Sequence, residues 1–407
     1  MSAHHSNQHD SEDYLWLTSE LAAPLLRDLQ QQLGNGGQVD VRLAASLRKS
    51  QSASRAHLLL EQVELRSRAR AKFSQPEKMF FTRKGLEQTT DEVLAAHKAT
   101  RIAEIGTTER MIVDLCCGVG GDLLAFATKG IAAGYDADAV TSHFAACNLR
   151  AFDRTASRAV NDLATANSVQ DAKAWHIDPD RRPTGERTIQ LADYEPGPDF
   201  LHALLKVNPH GAMKIAPAAD VNGAEWPAHE RQWLGSRGEC RQQVLWFGNL
   251  AQRPGQHVAT IVSAAGVATS FAGEAAVVVA PAEEFDAYIY EPDATILAAQ
   301  LAGAFATAFQ LSGITTGGGY LTGASPIENP LLATFKVRDV LPFDVKKLKA
   351  YCREHHLGQL EIKKRGVDLQ PHHLRREIMA KSDDPAVIFV TPFAGGVKAI
   401  VADRIIL

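Results

Sequence analysis

At 407 residues and 44.1 kDa, with 45% hydrophobic content and a formal net charge of −4, the chain is long enough for two or three domains with real cores. That balance excludes a disordered or strongly basic class, so any nucleic-acid binding must rest on local basic surface. The five cysteines (Cys116, Cys117, Cys147, Cys240 and Cys352) form no Cys-x-x-Cys pair, and the first residues lack a basic flank with an apolar core. These features favour a reduced, cytoplasmic setting without secretion or a membrane span.

Residues 1–95 read as a helical region. Leu21, Leu25 and Leu29 recur at spacing four, Gly34-Asn35-Gly36-Gly37 makes a break, and Val41 to Phe73 runs without proline. Arg66, Arg68, Arg70 and Lys72 crowd the end of that run and read as a solvated helix flank, with a phosphate-facing surface as the alternative. From Met111 the pattern changes to short β-rich runs: Met111–Leu115, Gly130–Tyr135, Ser157–Val160, Ala174–Ile177, Gly211–Ile215, Val244–Phe247 and His257–Val262. Helical stretches around Leu123–Thr128, Ala137–Phe152 and Phe200–Leu205 alternate with them, which predicts a seven-stranded α/β domain over about 96–280. Ala265–Ala280 is small and apolar and gives no assignment. Residues 281–407 read as a second α/β unit. Its elements, a mix of helix and strand, are Ala287–Tyr290, the helical Ala294–Leu311, Leu331–Val337, Val345–His355, Leu360–Lys364, His372–Lys381 and Ala386–Val390.

The run Met111-Ile112-Val113-Asp114-Leu115-Cys116-Cys117-Gly118-Val119-Gly120-Gly121-Asp122 carries the chemistry. An apolar strand ends in an acid, then glycines that admit positive φ and close backbone approach to a ligand, then a helical pattern. A dinucleotide fingerprint cradles a diphosphate at this turn, which an acid at the strand end would repel. A cationic sulfonium with an amino group would be attracted, so S-adenosylmethionine is the better match. Asp136 ends the second strand and is placed to accept both ribose hydroxyls; Asp138, two residues on, also reads as a helix cap. Asp162, after the third strand, is placed for the adenine amino group, with an Asx turn as the alternative. Asp178-Pro179-Asp180-Arg181-Arg182 follows the fourth strand, where Asp178 would meet the acceptor and the arginines a phosphate or carboxylate.

In Gly85-Leu86-Glu87-Gln88-Thr89-Thr90, Val113–Asp122, Gly134–Asp138, Asp178–Arg182, Lys214-Ile215-Ala216-Pro217, Gly238-Glu239-Cys240, Tyr288–Asp293 and Gly319-Tyr320-Leu321-Thr322, the chain resembles a bacterial family of class I methyltransferases. Members carry a C-terminal THUMP-like domain, and the resemblance covers nearly the whole chain. It implies a Rossmann-like methyltransferase core in which Asp114, Gly118, Gly120 and Asp136 would bind S-adenosylmethionine; Cys116, in the same loop, and Asp162 complete the expected cofactor set. Asp178 would serve at the substrate end. The family usually has a small residue at the third position of the Asp-Pro motif, where this chain has Asp180.

True THUMP domains bind RNA, so the resemblance implies RNA modification, with tRNA or rRNA as the partner class. Residues 331–380 hold eleven Lys or Arg against six Asp or Glu, and Lys363, Lys364, Arg365, Arg375 and Arg376 are the contact candidates. The competing reading is an RNA-binding module with an inactive methyltransferase-like core. Asp178-Pro179-Asp180-Arg181 is also similar to the Asp-Pro-Pro-Arg segment of RNA uridine-C5 methyltransferases, but Cys240 lacks their Cys-Asn-Pro setting and reads as a buried small residue. The Pro and aromatic that complete an N6-adenine signature are missing as well. His355-His356 and His372-His373 read as solvated pairs, and no metal is expected. Lys214 is placed at the cofactor edge without a catalytic role.

Overall fold

The computed structural model describes residues 11–33, 41–105, 110–181, 188–221, 225–227 and 229–406. The glycine break at 34–37 and Arg182 lie outside the described residues. The chain forms two compact units. One comprises Met1–Ile215, Ala219–His229 and Leu245–Gln252, and the other Ala216–Ala218, Glu230–Val244 and Arg253–Leu407. The boundary that sequence patterning suggests near residue 280 falls inside the second unit.

The first unit opens with helices α1 (Ser11–Leu17), α2 (Ala23–Leu33), α3 (Val41–Ser50), α4 (Ala53–Ala69), α5 (Arg83–Gln88) and α6 (Glu92–Ala103). Ser52, Thr82 and Asp91 start the last three, each side chain accepting a backbone N–H of the first turn. Leu17, Leu26, Leu58, Leu59, Met79 and Phe81 form one apolar cluster with Val119 and Phe144, so these helices pack on the glycine loop and the helix beyond it. The basic run at the end of α4 is not all solvated, which corrects the helix-flank expectation. Arg66 is buried, donates to the Met79 carbonyl at 2.8 Å, and is lowered by burial to about 10. Lys72 donates to the carbonyls of Leu86, Glu87 and Thr89 at 2.7 to 3.0 Å, closing the C-terminus of α5. These groups replace the intrahelical partners that a helix end lacks.

The strands β1 (Ile112–Leu115), β2 (Ala132–Asp136), β3 (Arg158–Asn161), β4 (Ala174–Ile177) and β5 (Gly211–Ile215) alternate with α7 (Gly121–Phe126), α8 (Ala139–Ala151) and α9 (Pro198–Val207). They lie in the order β3-β2-β1-β4-β5, with the pairs from β3 to β5 parallel. The chain direction switches sides at β1, which opens a crevice beyond the C-terminal ends of β1 and β4. All four residues of β1 are buried, as a central parallel strand covered on both faces requires.

In the second unit most of β6 (His229–Ser236), the first part of β7 (Glu239–Phe247), β8 (His257–Val262) and β9 (Ala268–Gly273) follow the order β7-β6-β8-β9. Two of these, β6 and β9, lie outside the seven expected strands. In β6 the segment His229-Glu230-Arg231-Gln232 is wholly polar, yet His229, Glu230 and Gln232 are buried. Gln232 Nε2 donates to Thr260 Oγ1 at 2.8 Å, so paired polar groups erase the apolar signal.

A separate seven-stranded sheet takes the order β11-β12-β10-β13-β16-β15-β14. Its strands are β10 (Tyr288–Pro292), β11 (Ser312–Gly313), β12 (Leu321–Gly323), β13 (Leu332–Pro342), β14 (Leu357–Lys364), β15 (Asp384–Phe393) and β16 (Gly396–Ile405), of which β11, β12 and β16 were not expected. The single helix expected over Ala294–Leu311 is two, α10 (Ala294–Ala298) and α11 (Ala302–Ala308), broken where Gln300 takes φ 57°. Helices α12 (Val345–Glu354) and α13 (Pro371–Ile378) cover one face through Leu348, Cys352, Leu374 and Ile378. Tyr320, Phe335 and Phe389 fill the other.

Candidate functional site

Leaving β1, the chain makes a run of left-handed turns, with Cys116 at φ 54°, Gly118 at φ 56° and Gly120 at φ 88°. At Gly118 a Cβ would meet nothing within 4 Å, so the left-handed backbone there borders open space. Gly121 is needed for a different reason. A Cβ there would sit 2.1 Å from Thr89 Oγ1, because the loop lies against the residues that follow α5. Asn148 on α8 ties the same loop down, its Nδ2 donating to the Val119 carbonyl at 2.9 Å and to the Phe80 carbonyl at 3.1 Å.

Asp136, at the end of β2, accepts the Gly118 amide at 2.9 Å and the Asp138 amide at 3.0 Å through its two oxygens. Burial pushes its carboxyl up, against the opposing effect of those two amides. Asp138 is the cap of α8, taking the Thr141 amide at 2.7 Å. Asp162 accepts its neighbour's amide, Leu163 N, at 2.8 Å and is exposed.

A cleft of about 1120 Å³ joins these groups, and its lining includes Asp114, Cys116, Gly118, Asp136, Asp162 and Asp178. Six of the seven residues expected at the site therefore share one cavity. Gly120 sits behind it: a Cβ there would touch Ala145 on α8, so this glycine serves the turn.

Beneath the loop lies a fully connected set of buried polar groups that sequence patterning missed. Asp114 is 1% exposed, and its Oδ1 is 2.7 Å from His176 Nδ1 on β4. The other ring nitrogen, His176 Nε2, is 3.0 Å from Lys98 Nζ on α6. Lys98, with no exposed surface, pairs with Asp122 on α7 at 2.8 Å, and Thr90 donates to Asp122 Oδ2 at 2.7 Å. Asp114 Oδ2 is buried and has no partner. Burial and the neighbouring Asp122 push the Asp114 carboxyl well above its usual range. Burial alone would also raise Asp122, but Lys98 and His176 hold it below that range. Burial, then the Lys98 charge, drives His176 well below its ordinary value, so its ring is neutral.

The acceptor end is built from the Asp-Pro motif after β4. Asp178 Oδ2 is 2.6 Å from Lys214 Nζ at the end of β5, and Lys214 also donates to the Gln88 carbonyl at 3.1 Å. Asp180, the departure from the family pattern, has specific partners. Lys84 Nζ donates to Oδ2 at 2.7 Å and Gln88 Nε2 to Oδ1 at 3.1 Å, so α5 supplies both. Its backbone exchanges hydrogen bonds with Glu195 at 2.8 and 3.0 Å, and Arg181 lines the same cleft. Cys116 and Cys117 are both pushed up by burial and then by surrounding carboxylates, so neither is a thiolate at neutral pH. Burial likewise pushes Cys240, inside β7, up to about 12.

The THUMP domain-like family matches residues 332–404. Two strains of Mycobacterium tuberculosis carry an uncharacterized S-adenosylmethionine-dependent methyltransferase that is 28% identical over 358 residues, spanning 86% of this chain and 96% of the relative. A crystal structure of a candidate methyltransferase from Porphyromonas gingivalis W83 superposes with a TM-score of 0.74 at 19% identity, covering 97% of this chain and 99% of that one. The chain has the fold of an S-adenosylmethionine-dependent methyltransferase, with a C-terminal THUMP-like domain. The cleft of this methyltransferase fits the cofactor in two respects. Gly118 leaves open a cradle that a side chain would enter, and Asp114 keeps a buried acceptor oxygen without a donor.

In the THUMP-like region the five expected contact cations divide into two groups. Lys363 is 2.6 Å from Glu291 and 3.2 Å from Glu361, while Arg365 reaches Glu291 at 4.0 Å and lies over the Tyr320 ring at 5.0 Å. These two are internal ion pairs, which corrects their place in the contact set. Lys364, Arg375 and Arg376 are exposed. Among the described residues no group of His, Cys, Asp and Glu could hold a metal ion, and no helix is long and apolar enough to cross a membrane.

Proposed function

We propose that this protein transfers the methyl group of S-adenosylmethionine to RNA in the cytoplasm, with the acceptor held at the Asp178 end of the cleft. The observation that carries the reading is one cavity lined by Gly118 and Asp136 at one end and by Asp178 and Arg181 at the other, in a chain with a THUMP-like region. The cofactor, when bound, supplies an electrophilic methyl group. The chain supplies position: Asp136 and the loop fix the adenosyl part, and Asp114 faces the cationic part. Asp178, oriented by Lys214, holds the acceptor atom in line and takes or steers its proton. Burial and nearby carboxylates push both cleft cysteines up, which supports direct transfer over a covalent enzyme adduct. In the THUMP-like region Lys364, Arg375 and Arg376 are the cations left to hold phosphate.

The test mixes the protein with methyl-labelled S-adenosylmethionine and either RNA from cells lacking the gene or protein extract, followed by nucleoside mass analysis. Label in a nucleoside is expected. Label found only in protein would overturn the substrate class, and folded protein that binds RNA yet transfers nothing would favour an inactive binding module.

A further inference from the structure

The buried groups beneath the loop have a direction. Burial pulls the Lys98 ammonium down from its usual range and Asp122, 2.8 Å away, opposes that by holding the proton; as an ammonium Lys98 has only protons to give, so it donates to His176 Nε2 at 3.0 Å. A neutral imidazole that accepts at Nε2 carries its proton on Nδ1, which then donates to Asp114 Oδ1 at 2.7 Å. Thr90 donates to Asp122 from the other side. Two carboxylate oxygens of the set take no hydrogen bond: Asp122 Oδ1, which is ion-paired with Lys98 at 2.8 Å, and Asp114 Oδ2, which has no partner of either kind and belongs to a residue lining the cleft.

The charges do not balance. One ammonium, Lys98, stands among two carboxylates, Asp122 and Asp114, while Asp178 nearby is neutralised by Lys214. An uncompensated charge at a site 1% exposed is strongly disfavoured, as for one partner of a broken buried pair. A proton on Oδ2 removes that cost when the cleft holds no cation, and a ligand ammonium or sulfonium removes it when the cleft is filled.

We infer that Thr90, Asp122, Lys98 and His176 act as positioning residues that aim the free oxygen of Asp114 into the cleft, and that a cationic ligand displaces a proton from that oxygen. This rests on the cofactor reading above. The groups facing Asp114 are His176 from β4, Asp122 from α7, Lys98 from α6, and the pair Asp178 and Lys214 at the ends of β4 and β5. The balance is simple: protein–COOH and the ligand cation give the carboxylate–cation pair and one proton released to solvent. Since a proton is released, affinity rises with pH. The rise continues until the Asp114 carboxyl of the free protein, which burial pushes well above its usual range, ionises without help from a ligand, provided the ligand's own ammonium stays charged.

The experiment is calorimetric titration of S-adenosylmethionine into the whole protein at neutral pH in phosphate and in Tris, buffers whose protonation enthalpies differ. Wild type is expected to release up to about one proton per ligand bound, seen as a buffer-dependent enthalpy, and to bind more tightly as pH rises from acid toward neutral. Asp114→Asn should bind with an enthalpy independent of buffer; it also separates this effect from Asp136, which shares the cleft. His176→Gln should weaken binding by about tenfold or more and blur the proton count, whereas a merely structural role would lower the melting temperature without changing proton release. If a variant fails to fold, the wild-type comparison decides alone. Equal enthalpies in both buffers with a flat pH profile would overturn the inference and leave the cofactor reading intact. No binding of S-adenosylmethionine or S-adenosylhomocysteine would overturn both.

Discussion

Two clusters in this molecule are built from paired acids and bases and carry opposite excess charge once every acid is ionised. In the first unit Lys98 stands among Asp114, Asp122 and neutral His176, all buried, so ionising Asp114 makes the surplus negative. In the second, Glu291 and Glu361 stand among Lys363, Arg365 and Arg404, each partly open to solvent, so the surplus is positive. The difference teaches that pairing on its own does not predict importance. Where water is excluded, a missing partner leaves a charge that nothing screens; where water enters, the same pair contributes little.

The comparison is sharpened first at the cleft. Asp178→Asn should lower turnover by about 10²–10⁴-fold, the usual range for a positioned acid or base, while cofactor affinity stays near that of wild type. Equal losses in both would move Asp178 to the cofactor end. Lys98→Met comes next. By stranding Asp122 in a buried site it should cost about 3–5 kcal/mol, read from the urea midpoint, and a loss near that of an exposed ion pair would erase the contrast between the clusters.

Smaller effects belong to the second cluster and its surroundings. Replacing Lys364, Arg375 and Arg376 together by Gln should weaken RNA binding and flatten its salt dependence by up to about 0.7–0.9 in log–log slope per lost phosphate contact. Cofactor affinity should not change, and an unaltered slope would remove these residues from the contact surface. Lys363→Gln should do least: about 0–1 kcal/mol of stability and no change in RNA affinity, because its ammonium is committed to Glu291 and Glu361. A large loss of RNA affinity from this single change would show that the ion pair opens to phosphate.

The sequence made the loop and its acids visible because a strand, a glycine turn and a helix follow one another within a dozen residues, each with a local signature. Asp136 and Asp178 were legible for the same reason: each closes a short apolar run. The buried chain was not. Lys98 lies in a helix whose other polar residues look like surface, and His176 interrupts the apolar run Ala174–Ile177 without any local partner. Seventy-eight residues separate the two, and only the fold brings them to 3.0 Å. Strand β6 was hidden by the same effect, since Glu230 and Gln232 are polar yet buried with partners. In the THUMP-like region a count of cations could not tell Lys363 from Lys364. Adjacent strand residues point to opposite faces, and the acid that claims Lys363 lies on β10.

The account depends most on the loop cleft being the cofactor site. Calorimetric titration of S-adenosylhomocysteine into wild type and Asp136→Ala tests this without needing the acceptor. Saturable binding is predicted for wild type, weakened in the variant by about 1.5–3 kcal/mol, or about one to two decades, with no binding of NADH by either. Folded wild-type protein that binds NADH and neither adenosyl ligand would contradict it.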